Sequence, residues 1–345
     1  MTGRFAGPAA RVTSAALYNI TVAPIVLYNM PVLTFLAIVF AIRFLVLVVR
    51  MIPTGEKRPN VDSCYSGMLV VILSYLQVLD SLFFFIAATF LPFGILVVIR
   101  ALAPVITLFL AALRRRKPPR LILWACSVVC LSGAVVAYRP WTDGTGVLLG
   151  YIVAVLGAFA NALTPFVSDA LLGYGLNWKA QLNAVTGAIL FVAFPTVAVA
   201  AVAALGFDDV FHVAKTISLF SSTLRIAVSI ILCAISRAFA GMLLTIAYSV
   251  APDLTIPALA AFSEILFGII VQITILNERA TRSQLIGSIL VSLGLCGVFS
   301  FETKDRCASA DAEVKPLLDD GASTTTKTLI VVQEYWKEGC GHVDP

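Results

Sequence analysis

The sequence predicts an all-α integral membrane protein with about ten transmembrane helices, arranged as two inverted five-helix repeats. Three observations predict this fold class: an apolar composition, a series of long apolar stretches and a duplicated segment. Of the 345 residues, 60% are hydrophobic and only 12% are charged, whereas a soluble protein carries about 25% charged residues. A water-soluble core has no room for so much apolar surface, and the composition therefore indicates a membrane protein.

The apolar stretches follow one another at the length of a membrane span. A transmembrane helix needs about 20 mainly apolar residues. About ten stretches approach this length, at residues 9–29, 32–51, 66–87, 91–113, 120–138, 147–167, 182–205, 223–247, 254–276 and 283–301. The first is the weakest, because it contains Asn19, Pro24 and Asn29. An alternative therefore has nine spans, with the N-terminus outside the bundle.

One pattern occurs twice along the chain, at residues 87–138 and 246–301. Each copy has a short apolar piece, a proline (Pro92 and Pro252), a long apolar helix, a charged break and a second apolar helix with a glycine near its end. A duplicated multi-helix unit is typical of secondary transporters, whose substrate site lies between the repeats.

The duplication predicts two repeats, at residues 1–138 and 147–301. Each repeat has an odd number of spans, so the two copies should insert into the membrane with opposite orientations. Aligning the two prolines places Pro104 opposite Glu264. The repeats are thus alike in pattern but differ in the charges that they carry.

Basic residues predict the orientation of the chain, because they collect in cytosolic loops close to the spans. The basic run at residues 114–120 follows the fourth span, and Arg50, Lys57 and Arg58 follow the second. With ten spans, these loops share one side of the membrane with both termini, which we therefore predict to be cytosolic. We interpret the basic run as a topology signal and expect no nucleic-acid partner.

Five charged residues lie within the predicted spans: Arg43, Asp80, Arg100, Arg237 and Glu264. Each charge at membrane depth costs roughly 2.5–3.5 kcal/mol on insertion scales, so such residues usually face a cavity or one another. Arginine offers a planar fork of donors that suits carboxylate or phosphate. We predict that the three arginines bind an anionic substrate, while Glu264 pairs with this site or gates it.

A structural interpretation of the same residues remains open. Arg43 with Asp80, and Arg237 with Glu264, could form internal ion pairs that fix helix positions. Arg100 has no acid in its own span, which favours a functional role. Glu264 could also cycle a proton and so couple transport to a pH gradient.

Asn161 is a further candidate for substrate binding. It precedes Thr164 and Pro165 in the sixth span, and a proline break exposes backbone groups that can contact a ligand. Helix packing through hydrogen bonds is the alternative role for such a polar residue.

The segment 302–345 is polar, and we predict a disordered cytosolic tail. Within it, Glu313, Leu317 and Leu318 have the spacing of an acidic dileucine sorting motif. Adaptor proteins that load vesicles bound for endosomes, lysosomes or vacuoles could bind this motif.

The sequence argues against an enzyme. Intramembrane chemistry needs clustered His, Asp or Cys side chains at one depth, but the only two histidines, His212 and His342, lie outside the predicted spans. Four of the seven cysteines lie inside spans, so no disulfide framework is implied. We predict no catalytic residue, no metal site and no cofactor.

Two groups of motifs resemble the drug/metabolite transporter superfamily, which includes the EamA-type exporters and the nucleotide-sugar and triose-phosphate translocators. In the first repeat these are residues 88–92 (Ala-Thr-Phe-Leu-Pro) and Pro104-Val105. In the second repeat, residues 278–287 match the pattern E-R-x-T-x-x-Q-x-x-G, and residues 263–272 look most like the solute-carrier branch nearest the nucleotide-sugar transporters. The paired-lysine substrate pattern of the translocators is not plainly present, because the ninth span has Glu264 and no lysine.

The resemblance implies a secondary transporter, an antiporter or a proton-coupled carrier, that works by alternating access. The arginines within the predicted spans add the expectation that its substrate is a small anionic organic metabolite. The alternative function is a non-transporting membrane receptor or scaffold whose tail is bound by trafficking adaptors. The expected partners are the substrate, the lipid bilayer and these adaptors, and a homodimer remains open. We expect a multi-pass protein of the Golgi, endosome, vacuole or plasma membrane.

Overall fold

The computed structural model describes residues 6–21, 32–54, 64–115, 120–139, 148–176, 178–205, 223–250, 255–274 and 281–319. Throughout these ranges the regular structure is helical. The helices are α1 (Ala6–Ile20), α2 (Val32–Thr54), α3 (Cys64–Phe90), α4a (Phe93–Arg100), α4b (Leu102–Arg115), α5 (Leu121–Tyr138), α6 (Leu148–Gly173), α7 (Trp178–Ala188, a π-helical turn Ile189–Ala193, and Phe194–Leu205), α8 (Thr223–Val250), α9a (Thr255–Ala260), α9b (Ser263–Thr274) and α10 (Arg282–Asp319).

The helices correspond one to one with the predicted stretches. Within the described ranges, 8 helical segments are long and apolar enough to cross a membrane. The all-α membrane fold class is therefore confirmed. Helix α1 ends at Ile20, and residues 22–29 of the predicted first span lie outside the described residues. Helix α1 has 15 residues and packs inside the bundle against α8 and α9b, and the choice between ten and nine spans stays a prediction.

Many large apolar side chains lie on the outside of the bundle, whereas several charged side chains are buried inside it. Along α10, Leu285, Ile289 and Leu293 are each more than half exposed. Their spacing of four residues forms one stripe on the helix surface. Val291 and Val298, on the other side of α10, are buried. The exposed stripe is the face that a bilayer would cover.

Helices α4 and α9 are both interrupted near their middle. Helix α4 is interrupted at Ala101, and Ala261 and Phe262 form a turn within α9. Pro104 has no N–H to donate to the carbonyl of Arg100, four residues earlier, which explains the first interruption. Irregular backbone at membrane depth is tolerated where protein or a cavity surrounds it, so both interruptions mark an interior position.

The packing contacts correspond when each of the first five helices is exchanged for its counterpart among the last five. Helix α3 packs along α6, and in the equivalent position α8 packs along α1. Likewise α3 contacts α7, and α8 contacts α2. Helices α5 and α10, which end the two predicted repeats, pack against each other.

Glycines bring α5 and α10 into close contact. A Cβ at Gly133 would lie 2.8 Å from the carbonyl oxygen of Gly287. A Cβ at Gly287 would in turn contact the carbonyl oxygen of Gly133 and lie 2.7 Å from the backbone nitrogen of Ala137. Small residues let membrane helices approach closely where no hydrophobic effect drives them together. These glycines are therefore needed for the contact between the two halves.

Two expectations from the sequence need correction. Helix α6 runs through Pro165 without a break, since proline inside a membrane helix is tolerated when neighbouring groups satisfy the freed carbonyl. Helix α10 continues to Asp319, so the first part of the segment expected to be disordered is helical. Alanines and charged residues after Phe301 have good helix propensity, which explains the extension. Residues 320–345 lie outside the described residues.

We predict that Gly287→Ala lowers the thermal unfolding temperature of the purified protein in detergent. The added methyl group meets backbone atoms of Gly133 and Ala137, and overpacking costs about 1–3 kcal/mol. The matched control is Gly187→Ala on α7, where nothing lies within 4 Å of the added Cβ. Both changes gain the same helix propensity, so equal unfolding temperatures for the two variants would contradict the packing argument.

Candidate functional site

Six charged side chains converge in the interior of the bundle, and we call them the arginine cluster. Each is between 2% and 8% exposed. They come from six different helices: Arg11 from α1, Arg43 from α2, Asp80 from α3, Arg100 from α4a, Arg237 from α8 and Glu264 from α9b. The structure thus brings together all five charged residues that the sequence identified, and it adds Arg11.

Arg100 and Glu264 join the interruptions of α4 and α9. Nε of Arg100 donates a hydrogen bond to Oε2 of Glu264 at 2.8 Å. Arg100 lies in the last turn of α4a, and Glu264 lies in the first turn of α9b. A cation at a helix C-terminus and an anion at a helix N-terminus are both favoured by the helix dipole. Each charge therefore stabilises the helix end that positions it.

Asp80 forms ion pairs with two arginines. Nη1 of Arg100 donates to Oδ1 of Asp80 at 3.1 Å, and Nη2 of Arg237 lies 3.6 Å from Oδ2. Arg237 also donates to the hydroxyl of Ser81. Asp80 is thus the acid that links the first half of the bundle to α8.

Tyr18 separates two of the guanidinium groups. The Cζ of Arg100 lies 3.9 Å from the centre of the Tyr18 ring, and the Cζ of Arg237 lies 3.6 Å from it. The hydroxyl of Tyr18 donates to Oδ2 of Asp80 at 3.3 Å. A cation is attracted to the face of an aromatic ring, so one side chain reduces the repulsion between two like charges.

Arg11 and Tyr18 also belong to this cluster of contacts, and neither was predicted from the sequence. Nη2 of Arg11 donates to Oε1 of Glu264 at 2.8 Å. Arg11, Ser14 and Tyr18 are all at most 3% exposed, and their spacing of three and four residues puts them on one face of α1. This spacing in the sequence could have predicted a buried polar face on α1, but α1 was judged a weak span because it is only weakly apolar.

The ion pairs differ from those suggested by the sequence. Within the described ranges, Asp80 pairs with Arg100 and Arg237, and Glu264 pairs with Arg100 and Arg11. The alternative pairs, Arg43 with Asp80 and Arg237 with Glu264, are therefore wrong. A functional role was predicted for Arg100 because its own span has no acid, but its partners, Asp80 and Glu264, come from other helices.

Arg43 makes only neutral contacts in the described part of the chain. Its Nε donates to the hydroxyl of Thr186 at 3.1 Å, and its Nη1 donates to Oε1 of Gln77 at 2.9 Å. Its Nη2 is buried and has no hydrogen-bond partner among the described residues. Gly241 makes room for the guanidinium group, since a Cβ there would lie 3.1 Å from Nη1.

A cavity opens beside Arg43, with about 420 Å³ of empty space including its open mouth. Arg43, Arg237 and Asp80 all line it. The other lining residues are Val39, Phe40, Gln77, Ser81, Thr164, Gly241 and Leu244. The wall is therefore cationic in part, with hydroxyl and amide groups beside the charges.

The remaining candidates from the sequence are Asn161 and the residues of the predicted sorting motif. Asn161 is buried on α6, but the cavity is lined by Thr164, three residues further on. Pro165 cannot donate to the carbonyl of Asn161, so this backbone group, one turn from the cavity, lacks its usual helical donor. The side chains of Glu313, Leu317 and Leu318 lie outside those that the structure describes.

Comparison with known proteins supports the fold and its class of function. Residues 10–139 match the EamA-like transporter family. The match covers most of the first predicted repeat and confirms the resemblance to the drug/metabolite transporter superfamily. The match supports a multi-pass membrane protein that transports small solutes. Members of this family are generally not enzymes.

A solved structure, described only as a crystal structure of a protein, aligns with a TM-score of 0.61 at 14% sequence identity. The alignment covers 84% of this chain and 98% of that chain. At this identity the likeness shows the fold alone. No curated protein matches the chain.

We predict that Glu264→Gln strongly destabilises the protein, because it leaves Arg11 and Arg100 without the carboxylate that both contact. Removing one partner from a buried ion pair costs about 3–5 kcal/mol. The matched control is Asp169→Asn, which breaks the exposed pair of Asp169 with Arg114 and should cost about 0–1 kcal/mol. Thermal unfolding in detergent measures both, and a similar loss in the two variants would contradict this prediction.

Proposed function

We propose that this protein is a secondary transporter that moves a small anionic organic metabolite across a membrane by alternating access. The observation that carries the proposal is the excess of positive charge in the arginine cluster. Among the described residues, four guanidinium groups face two carboxylates in the buried interior. Uncompensated charge at membrane depth is costly and usually marks a substrate or ion pathway, so an anion is the substrate that this interior fits.

The interrupted helices support a binding site at this position. In secondary transporters, discontinuous helices form the substrate site near the middle of the bilayer, and their half-helix ends contact the substrate or coupling ion. Here Arg100 and Glu264 lie at such ends. We assign Arg43 and Arg237, which line the cavity, to substrate binding, and Arg100 with Glu264 to the ordering of the interrupted helices.

Two five-helix halves, residues 1–138 and 147–301, are proposed to rock against each other around this site. The exchange of packing partners between α3–α6 and α8–α1 supports inverted repeats. The pairs Arg100–Glu264, Arg11–Glu264 and Asp80–Arg237 each join the two halves. Rocking would have to strain or exchange these pairs, and the same pairs would therefore gate the cavity.

We predict that Arg237→Gln reduces substrate uptake at least about tenfold, because losing a charged hydrogen bond costs about 1.5–3 kcal/mol. The measurement is uptake into proteoliposomes from a mixed metabolite pool, detected by mass spectrometry, with either a pH gradient or internal counter-substrate imposed. Arg237→Lys should retain part of the uptake.

The control for this assay is Arg114→Gln, which removes a half-exposed arginine remote from the cavity lining and should leave uptake unchanged. Enrichment that is equal in wild type and Arg237→Gln would remove Arg237 from the site. No enrichment under any condition would contradict transport and favour a receptor or scaffold whose sorting motif binds adaptors.

We further propose that both termini are cytosolic, in an endomembrane or the plasma membrane, since the most basic loops follow α2 and α4b. Cys64, at the start of α3, is exposed. A variant that retains only this cysteine should react with a membrane-impermeant maleimide from the cytosolic side alone. A variant that retains only the buried Cys130 is the control, and labelling of Cys64 from the opposite side would reverse the topology.

A further inference from the structure

We infer that the cavity beside Arg43 binds the carboxylate of a small, singly charged solute, and that Asp80 competes with this carboxylate for the cationic wall. The inference rests on the proposed transport function and names its substrate class. It depends on three observations: an unused donor on an arginine that lines the cavity, a charge without a counter-charge, and an acid already in place.

The unused donor is Nη2 of Arg43. This atom is buried without a hydrogen-bond partner among the described residues, while Nε and Nη1 of the same guanidinium are occupied by Thr186 and Gln77. Buried polar groups without partners are rare in native structures and call for an explanation. The guanidinium is held at two of its nitrogens and keeps the third for an acceptor, which a carboxylate oxygen would supply.

The charge of Arg43 has no acid beside it in the described residues. Arg100 shares both acids of the cluster, Arg11 pairs with Glu264, and Arg237 shares Asp80. The partners of Arg43 are instead an amide and a hydroxyl. Of the ionisable groups that line the cavity, Arg43, Arg237 and Asp80, two are positive and one is negative. One further negative charge brings this wall to neutrality.

Asp80 disfavours a second negative charge on the solute. It lines the same cavity and lies 3.6 Å from Arg237, so a phosphate dianion bound at Arg43 would be repelled by it. The cavity is also small: its empty space of about 420 Å³ includes the open mouth, and only about 30 Å³ of it is open to the centre of a water molecule. Both facts favour a compact monocarboxylate over a nucleotide sugar.

Matched probes test the charge of the solute. The full-length protein in lipid nanodiscs is titrated with benzoate, benzamide and phenyl phosphate, and with lactate, lactamide and glycerol 3-phosphate. Binding is measured by calorimetry and by the shift in thermal unfolding. We expect at least one carboxylate to bind about tenfold more tightly than its amide and its phosphate, because the amide lacks the charge of a charge-assisted hydrogen bond.

Variants test the position of the site. Arg43→Gln should weaken carboxylate binding at least about tenfold, Arg43→Lys should restore part of it, and Arg114→Gln should leave it unchanged. Gly241→Ala keeps every charge but crowds Nη1 of Arg43, so it should also weaken binding and serves if Arg43→Gln does not fold. Asp80→Asn should tighten binding several-fold, since it removes the charge that competes for Arg237.

The inference is overturned if no carboxylate binds, if the amides or phosphates bind as tightly as the carboxylates, or if both Arg43→Gln and Gly241→Ala bind like wild type. Transport and this inference fail in distinguishable ways. Proteoliposome uptake of a neutral or phosphorylated solute would leave the transporter in place and refute the carboxylate site, whereas absence of any uptake would refute transport itself.

Discussion

The ion pair between Arg100 and Glu264 is the contact on which the interior of this protein depends. It joins the interruption of α4 to that of α9 at 2.8 Å, and each charge lies at the helix end whose dipole favours it. Asp80 also pairs with Arg100, and Arg11 also pairs with Glu264. Two interrupted membrane helices that would otherwise expose backbone groups are thereby held against each other by charges on their own ends.

The bilayer explains why such a cluster can persist. Helices that present leucine and isoleucine to lipid gain little from burying more apolar surface, so close packing and polar contacts hold them together. The protein uses both means: glycines bring α5 and α10 together, and arginines with acids join the inner helices. For the proposed transporter, the close packing of α5 against α10 suits a fixed junction. The ion pairs of the interior suit contacts that can exchange partners.

The sequence was sufficient for the properties that depend on local composition. Apolar length gave the membrane class and the approximate position of the helices, and the cost of intramembrane charge pointed to Arg43, Asp80, Arg100, Arg237 and Glu264. The partners within the cluster could not be predicted, because they depend on how each helix is rotated in the bundle. Arg11 was missed because α1 is short and weakly apolar, and the break expected at Pro165 did not appear, since a proline does not by itself end a membrane helix.

In the proposed pair of repeats, the two halves share an apolar pattern but carry different charges. The alignment that places Pro104 opposite Glu264 also places Ala260 opposite Arg100, Ala240 opposite Asp80 and Gln77 opposite Arg237. Under the proposed inverted repeats, exchanging the roles of the halves leaves the apolar packing nearly equivalent, so the inward-open and outward-open scaffolds differ little in free energy. The ion pairs have no equivalent on the other side of the proposed axis, and in the proposed carrier they would therefore bias the empty protein towards one state. A bound anion could offset this bias only through its different affinity for the two states, and the proposed competition with Asp80 for Arg237 would supply such a difference.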